Sequence, residues 1–359
     1  MSSRQRLLHT LKHQSPDRTP IFEYVLQPPV ADAILDRNYV YGSRLTDYIR
    51  EHGWEKGIRQ LATDMVELAQ RLGHDLIYAT CNVLPAEKSR PAGAAEKLPE
   101  DPVVQMEERL KREEEQGFSV AEEAFFIYFC LREEMAARNL DLPILAPACL
   151  HGIWTDTVLM EAMVLAPELV RRHYGHRTRL AEVYLKHYHR AGVDLVSVGG
   201  DFAGSRGPFC SPRAYREYIV PEVRKVSEMA HRYGFWTLNA SDGNLWPVIE
   251  DFLLTCQVDG YLEIDAFAGM ELGELKRRFG QKITFFGNLD CGALLTFGTP
   301  SDVEKATREC LEKGWGNGGH VLCASNAITS SVPLANYLAI YRAYARFFGL
   351  KMPEVVKEA

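Results

Sequence analysis

The sequence predicts an α/β protein folded as a (β/α)8 TIM barrel with additional N-terminal helices and helical insertions. Two observations carry this. Eight short apolar runs recur along the 359 residues, and most end on a polar residue followed by a loop and a helical pattern. The runs are 19–25, 75–79, 142–148, 193–198, 234–240, 258–264, 281–287 and 319–325. Each is rich in Val, Ile, Leu, Phe or Tyr and bounded by Gly, Pro or Asp, as strands are. Their near-continuous apolar character suits strands buried on both faces, hence parallel ones. Chemistry in such a barrel sits where strands end and the following loops begin.

Taken in order, residues 1–18 read as a lead-in helix with Leu7, Leu8 and Leu11 on one face. Asp17-Arg18-Thr19-Pro20 breaks it before the first strand. Residues 26–72 and 99–140 form two helical insertions that lid the barrel mouth or build a dimer surface. The charged run 107–115 reads as a solvated helix face. Ser211-Pro212 opens a helix over 213–233, Thr299-Pro300 opens one over 301–313, and Val332-Pro333 opens the last, to Phe348. No linker or internal repeat interrupts the pattern, so 1–359 reads as one domain.

Composition narrows the function classes. A chain 46% hydrophobic and 25% charged can fill a large core. A net charge of -7 argues against nucleic acid as a partner, since phosphate neutralisation needs a basic patch. No apolar run approaches the roughly 20 residues of a membrane span, and the N-terminus has no signal-peptide segment. The 8 cysteines are scattered without a CxxC, which suits reduced thiols and a cytoplasmic protein.

The residues at or just after the strand ends are Glu23, Cys81, Cys149, Asp201, Asp242, Glu263 with Asp265, Asp290 and Asn326. If the barrel closes, the acids among them converge. Like charges there repel, so one acid keeps its proton or a cation sits among them. Glu263, Asp242 and Asp201 are the candidate catalytic residues. Glu263 lies inside an apolar strand, where a carboxylate needs a partner. Asp201 follows Gly199-Gly200, where backbone can approach a ligand. Asp242 and Asp290 each precede a Gly and a helix, so an N-cap role competes with a functional one. Asp265, two residues past Glu263 and beyond the strand end, is read as turned away from the mouth. Candidate substrate-binding residues are Glu23, Arg206 (a loop cation able to grip a carboxylate or phosphate), Phe202 and Trp154 (walls for a flat substrate), Asn239, Asn326 and Asp290. The pairs His173/His176 and His187/His189 read as surface residues rather than zinc ligands. Gly316–Gly319 precedes a strand, so it is a turn and not a dinucleotide loop.

Several segments resemble the uroporphyrinogen decarboxylase superfamily, which also contains corrinoid-dependent methyltransferases. They are Asp17-Arg18-Thr19-Pro20-Ile21, Ser211-Pro212-Arg213-Ala214-Tyr215-Arg216 with Pro221, Ser241-Asp242-Gly243-Asn244, Gly287-Asn288-Leu289-Asp290, Gly298-Thr299-Pro300, and Val332-Pro333 with Asn336. The resemblance implies a (β/α)8 barrel, often a homodimer. It also exposes departures. The arginine-rich segment that follows the first strand in the decarboxylases reads Glu23-Tyr24-Val25-Leu26-Gln27-Pro28-Pro29 here, without a base. Their catalytic Asp falls near Cys81 or Asn82, and their late His near Asn326. The His-x-Cys and late Cys of the zinc methyltransferases fall on Ala240, Asp242 and Asn326, while Glu263 falls where a related type supplies a glutamate ligand. Asp242, Glu263 and Asn326 therefore form a candidate oxygen-rich site for a divalent metal ion, harder than a zinc-thiolate site. The resemblance implies a methyltransferase acting on a small methylated, methoxy-aromatic class of substrate, with a corrinoid supplied by a separate corrinoid-binding protein. The alternatives are a decarboxylase or lyase on a small carboxylate anchored by Arg206, and a barrel that binds without catalysis.

Overall fold

The computed structural model describes residues 1–88, 99–148 and 150–357; the predicted strand-end Cys149 lies outside the described residues. Seven parallel strands curl in the order β1 (Ile77–Tyr78), β2 (Ile144–Pro147), β3 (Leu195–Gly199), β6 (Trp236–Ala240), β7 (Gly260–Leu262), β8 (Thr284–Phe286) and β9 (His320–Val321). The two missing numbers belong to an antiparallel hairpin, β4 (Ala203–Gly204) and β5 (Gly207–Pro208), in the loop after β3. The sequence did not announce this hairpin. The first predicted run closes the ring by isolated bridges rather than as a full strand. Ile21 pairs in parallel with Leu322 and Leu26 with Ile328, while Asp75 N–H donates to Ile21 O at 2.7 Å on the other side. Pro20, Pro28 and Pro29 frame this segment, and a proline cannot donate to a ladder.

The pleat sorts side chains into two layers. Phe22, Leu145, Leu195, Leu238, Leu262 and Phe286 pack inside the barrel, with Leu7 and Leu11 of the helix Ser3–Leu11 plugging its N-terminal end. Ile21, Ile77, Ile144, Val196, Tyr261 and Phe285 alternate with them and face the helices. The breaker Asp17-Arg18-Thr19-Pro20 has a physical role at the same end. Asp75 is fully buried and accepts from Arg6 Nη1 at 2.6 Å, Arg18 Nη1 at 2.9 Å and Ile21 N–H at 3.0 Å. This cluster clamps the lead-in to the barrel floor.

The predicted insertions are helical: Val30–Leu35, Ser43–His52 and Trp54–Leu72 in the first, Pro102–Gln116 and Phe126–Ala137 in the second. Ser211 and Thr299 cap their helices as predicted, Thr299 through a capping box with Asp302. The helix predicted over 213–233 is broken by a π turn, Tyr215–Ile219, before Val220–Arg232. Pro221 explains it, because it offers no N–H to the preceding turn and its ring crowds that turn's carbonyl. One prediction fails in the helix layer. His173 and His176 are buried rather than on the surface. His173 Nδ1 lies 3.0 Å from Glu113 within Pro102–Gln116, and the His176 ring meets Phe118, just beyond that helix, at a tilt, centroids 4.6 Å apart. Among the described residues no helix is long and apolar enough to cross a membrane.

Candidate active site

The strand C-termini meet where the barrel opens, and glycines shape the approach. Gly200 sits at φ 143°, and a Cβ there would come within 2.7 Å of Gly152 N. The close approach predicted at Gly199-Gly200 is thus made by the chain's own loop, not by a ligand. His151 N–H donates to Gly199 O at 2.8 Å and Ile153 N–H to Asp201 O at 2.7 Å. The glycine pair fixes the backbone that carries Asp201.

Asp201, Asp242 and Glu263 come together, as their strand-end positions predict. Burial first, then the charges of Asp201 and Asp265, push Asp242 up to about 7, against a hydrogen bond from Asn326. Burial first, then Asp201 and Asp242, push Glu263 up to about 8, against a hydrogen bond from Tyr24. Burial also raises Asp201. Three carboxyl groups that feel one another in a half-dry pocket cannot all ionise, so protons are retained at neutral pH. Glu263 is held at φ 68°, a left-handed conformation rare for a side-chain-bearing residue. Tyr24 was missed by the sequence reading. The signal was present, since Tyr24 shares the inward face of Phe22.

Other predicted residues lie elsewhere. Glu23 is buried on the outward face, where its carboxyl hydrogen-bonds the backbone of Tyr24 and Ala324 and the Tyr337 hydroxyl. Asn239 also faces outward, donating to Phe252 O at 2.9 Å and accepting from Ala240 N–H at 3.2 Å. Phe202 is not a substrate wall: it is buried and stacked on Tyr215, centroids 4.3 Å apart. Asp290 takes the capping role, accepting from Gly292 N–H at 2.9 Å and Leu294 N–H at 3.1 Å. Asp265 does likewise for Ala268 N–H at 3.0 Å and Gly243 N–H at 3.2 Å. Arg206 is exposed in the short connection between β4 and β5. Trp154 is exposed and meets Phe209 edge to face.

Asn326 does reach the acids, donating from Nδ2 to Asp242 Oδ2 at 2.6 Å while its oxygen accepts from Ala327 N–H at 2.6 Å. That orientation does not fit the predicted metal set. An N–H, not an oxygen, faces Asp242, and the amide oxygen is already used. Among the described residues no group of three or more His, Cys, Asp or Glu is arranged to hold a metal ion.

Fold and site together define a (β/α)8-barrel protein whose mouth is lined by proton-holding carboxylates. The family model for uroporphyrinogen decarboxylase (URO-D) matches residues 154–347, and the chain belongs to that family. It is 26% identical over 180 residues to the uroporphyrinogen decarboxylase of Coxiella burnetii, covering 47% of this chain and 45% of that one. It is 26% identical over 200 residues to that of Methylobacillus flagellatus, covering 53% and 52%. The chain thus spans about half the length of the curated relatives it matches. Among solved structures, a methyltransferase from Methanosarcina mazei superposes with TM-score 0.71 at 17% identity, covering 97% of this chain and 99% of that one, a likeness of fold.

Proposed function

We propose that this protein is a methyltransferase that takes a methyl group from a small, uncharged methylated substrate held at the barrel mouth. The observation that carries the reading is the trio Asp201, Asp242 and Glu263, with Asp242 and Glu263 holding protons near neutral pH. A methyl group on oxygen or nitrogen has a poor leaving group. A neutral carboxylic acid beside it supplies the proton as the bond to methyl breaks. Asp242, oriented by Asn326, or Glu263, hydrogen-bonded by Tyr24, fills that role. Asp201 keeps the proton on its neighbours by raising both, so the acid form persists at pH 7. The methyl acceptor in this reading is a reduced corrinoid on a separate corrinoid-binding protein, which supplies the nucleophile. No metal step is included, because the donor set does not fit one.

The absence of an anchoring cation among the described residues favours this over decarboxylation, since Arg206 stands exposed on the hairpin rather than beside the acids. The test is methyl transfer from a panel of methoxyarenes and other methyl ethers to reduced cobalamin, followed by its absorbance. Turnover that vanishes in Glu263→Gln and Asp242→Asn supports the reading. Carbon dioxide release from a carboxylate panel, with no methyl transfer, overturns it.

A further inference from the structure

Two loops at the barrel mouth are stitched together. β3 and β6 are paired neighbours, and the chain leaving the first carries Asp201 while the chain leaving the second carries Asp242. Ser241 sits between the two loops and is fully buried. Its hydroxyl accepts from Phe202 N–H at 3.3 Å and donates to Asp242 O at 3.0 Å. One oxygen thus joins the residue after the first acid to the carbonyl of the second. Further along, Asn244 N–H donates to Gly204 O at 2.9 Å. Between these bonds the backbones touch, and a Cβ on Gly243 would lie 2.7 Å from Ala203 C and from Gly204 O. The Asp201 carboxyl also takes a hydrogen bond from the Asp242 backbone.

Such closeness has to be enforced, because like charges in one pocket push each other apart. Asp242 is raised by the charge of Asp201. It also faces Glu263 at the end of β7, Asp265 just beyond, Cys291 after β8 and Asn326 after β9. Asp265 and Asn326 hold only the Asp242 side, the first by accepting from Gly243 N–H, the second by donating to the Asp242 carboxyl. Apart from Asp201 itself, Ser241 is the one side chain among the described residues whose hydrogen bond crosses from loop to loop.

We infer that Ser241 is a positioning residue, whose hydroxyl holds Asp201 and Asp242 together as one coupled pair. Without that hydroxyl, Phe202 N–H is left buried without its acceptor, and the repelling loops are free to part. Two charges that move from about 4 to about 6 Å apart lose about one pH unit of mutual influence at a protein's effective dielectric. Asp242 would then give up its proton at lower pH. The inference rests on the methyl-transfer reading only for the use of that proton, and its test needs no substrate.

The test is a pH titration of the aspartate side-chain carboxyl carbons by NMR in the wild type, Ser241→Ala and Ser241→Cys, with Asp242→Asn assigning the signal. The expected result is that Asp242 titrates near 7 in the wild type and about one pH unit lower in Ser241→Ala. Ser241→Cys keeps the volume and weakens the bond, so it should shift the same way by less, and it decides the matter if Ser241→Ala does not fold. A hydroxyl that only satisfied Phe202 N–H would lower stability and leave the titration where it was. An unmoved or raised Asp242 titration in the folded variant therefore overturns the inference. Methyl transfer without the shift sinks the coupling and leaves the reaction standing. The shift without methyl transfer upholds the coupling and sinks the reaction.

Discussion

Replacing Glu263 by Gln should make the protein more stable and inactive, and the stability gain should depend on pH. Glu263 ionises near 4.5 in an unfolded chain and near 8 in the folded one. Below pH 4.5 both states carry the proton and the residue costs nothing. Between pH 4.5 and 8 the unfolded state releases the proton while the folded state keeps it. The wild type then loses stability with rising pH, at about 1.4 kcal/mol per pH unit. Above pH 8 the penalty levels off, at about 5 kcal/mol for the whole interval from 4.5 to about 8. Gln carries no charge at any of these values, keeps the side-chain length, and can still meet Tyr24. It also shares whatever the φ of 68° costs, so that contribution cancels between the two proteins. Urea unfolding of both proteins from pH 4 to 8.5 measures the difference. The curves should coincide near pH 4 and separate by several kcal/mol near pH 8, with Glu263→Gln the more stable. Curves that stay parallel across the range would refute the reasoning, because Glu263 would then ionise in the folded protein as it does in water.

Other predictions follow from the same geometry. Methyl-transfer activity should fall as pH rises through about 7 to 8, where Asp242 and Glu263 give up their protons, as a pH–rate profile would show. Asn326→Leu should move the Asp242 limb of that profile upward, because it removes the hydrogen bond that favours the carboxylate. Asp75→Asn should cost about 3–5 kcal/mol in denaturant unfolding, since it leaves the guanidinium groups of Arg6 and Arg18 against the barrel floor without their shared partner. Asp290→Ala should cost about 1 kcal/mol by the same measurement, the usual price of a lost cap.

The barrel was legible because its signals are long-range and redundant. Eight apolar runs, separated by helical patterns and punctuated by the Ser211 and Thr299 helix caps, all agree on one topology. The hairpin of β4 and β5 was not legible. It is two residues a side and buries too little to leave a hydrophobic pattern. The burial of His173 and His176 was not legible either, because it depends on where Pro102–Gln116 docks, more than 50 residues earlier in the chain.

The site divides along a finer line, the face each side chain takes. Phe22 and Leu238 point into the barrel, so period-two alternation sends Glu23 and Asn239 out to the helices. Applied strictly, that rule would have excluded both from the mouth and admitted Tyr24. Glu263 is the instructive exception. Leu262 points inward, so alternation would turn Glu263 outward too. It stands among the acids because its backbone leaves the extended region for φ 68° at the strand's last step. A side chain at such φ is held at a cost of order 1–3 kcal/mol, and only surrounding structure keeps it there. The chain therefore carries two costs at one residue, a left-handed backbone and a desolvated acid. A purely structural residue would be free to shed both by becoming Gly. Glu263→Gly relieves the two together and should stabilise the fold at pH 8, while removing the proton that the proposed reaction needs.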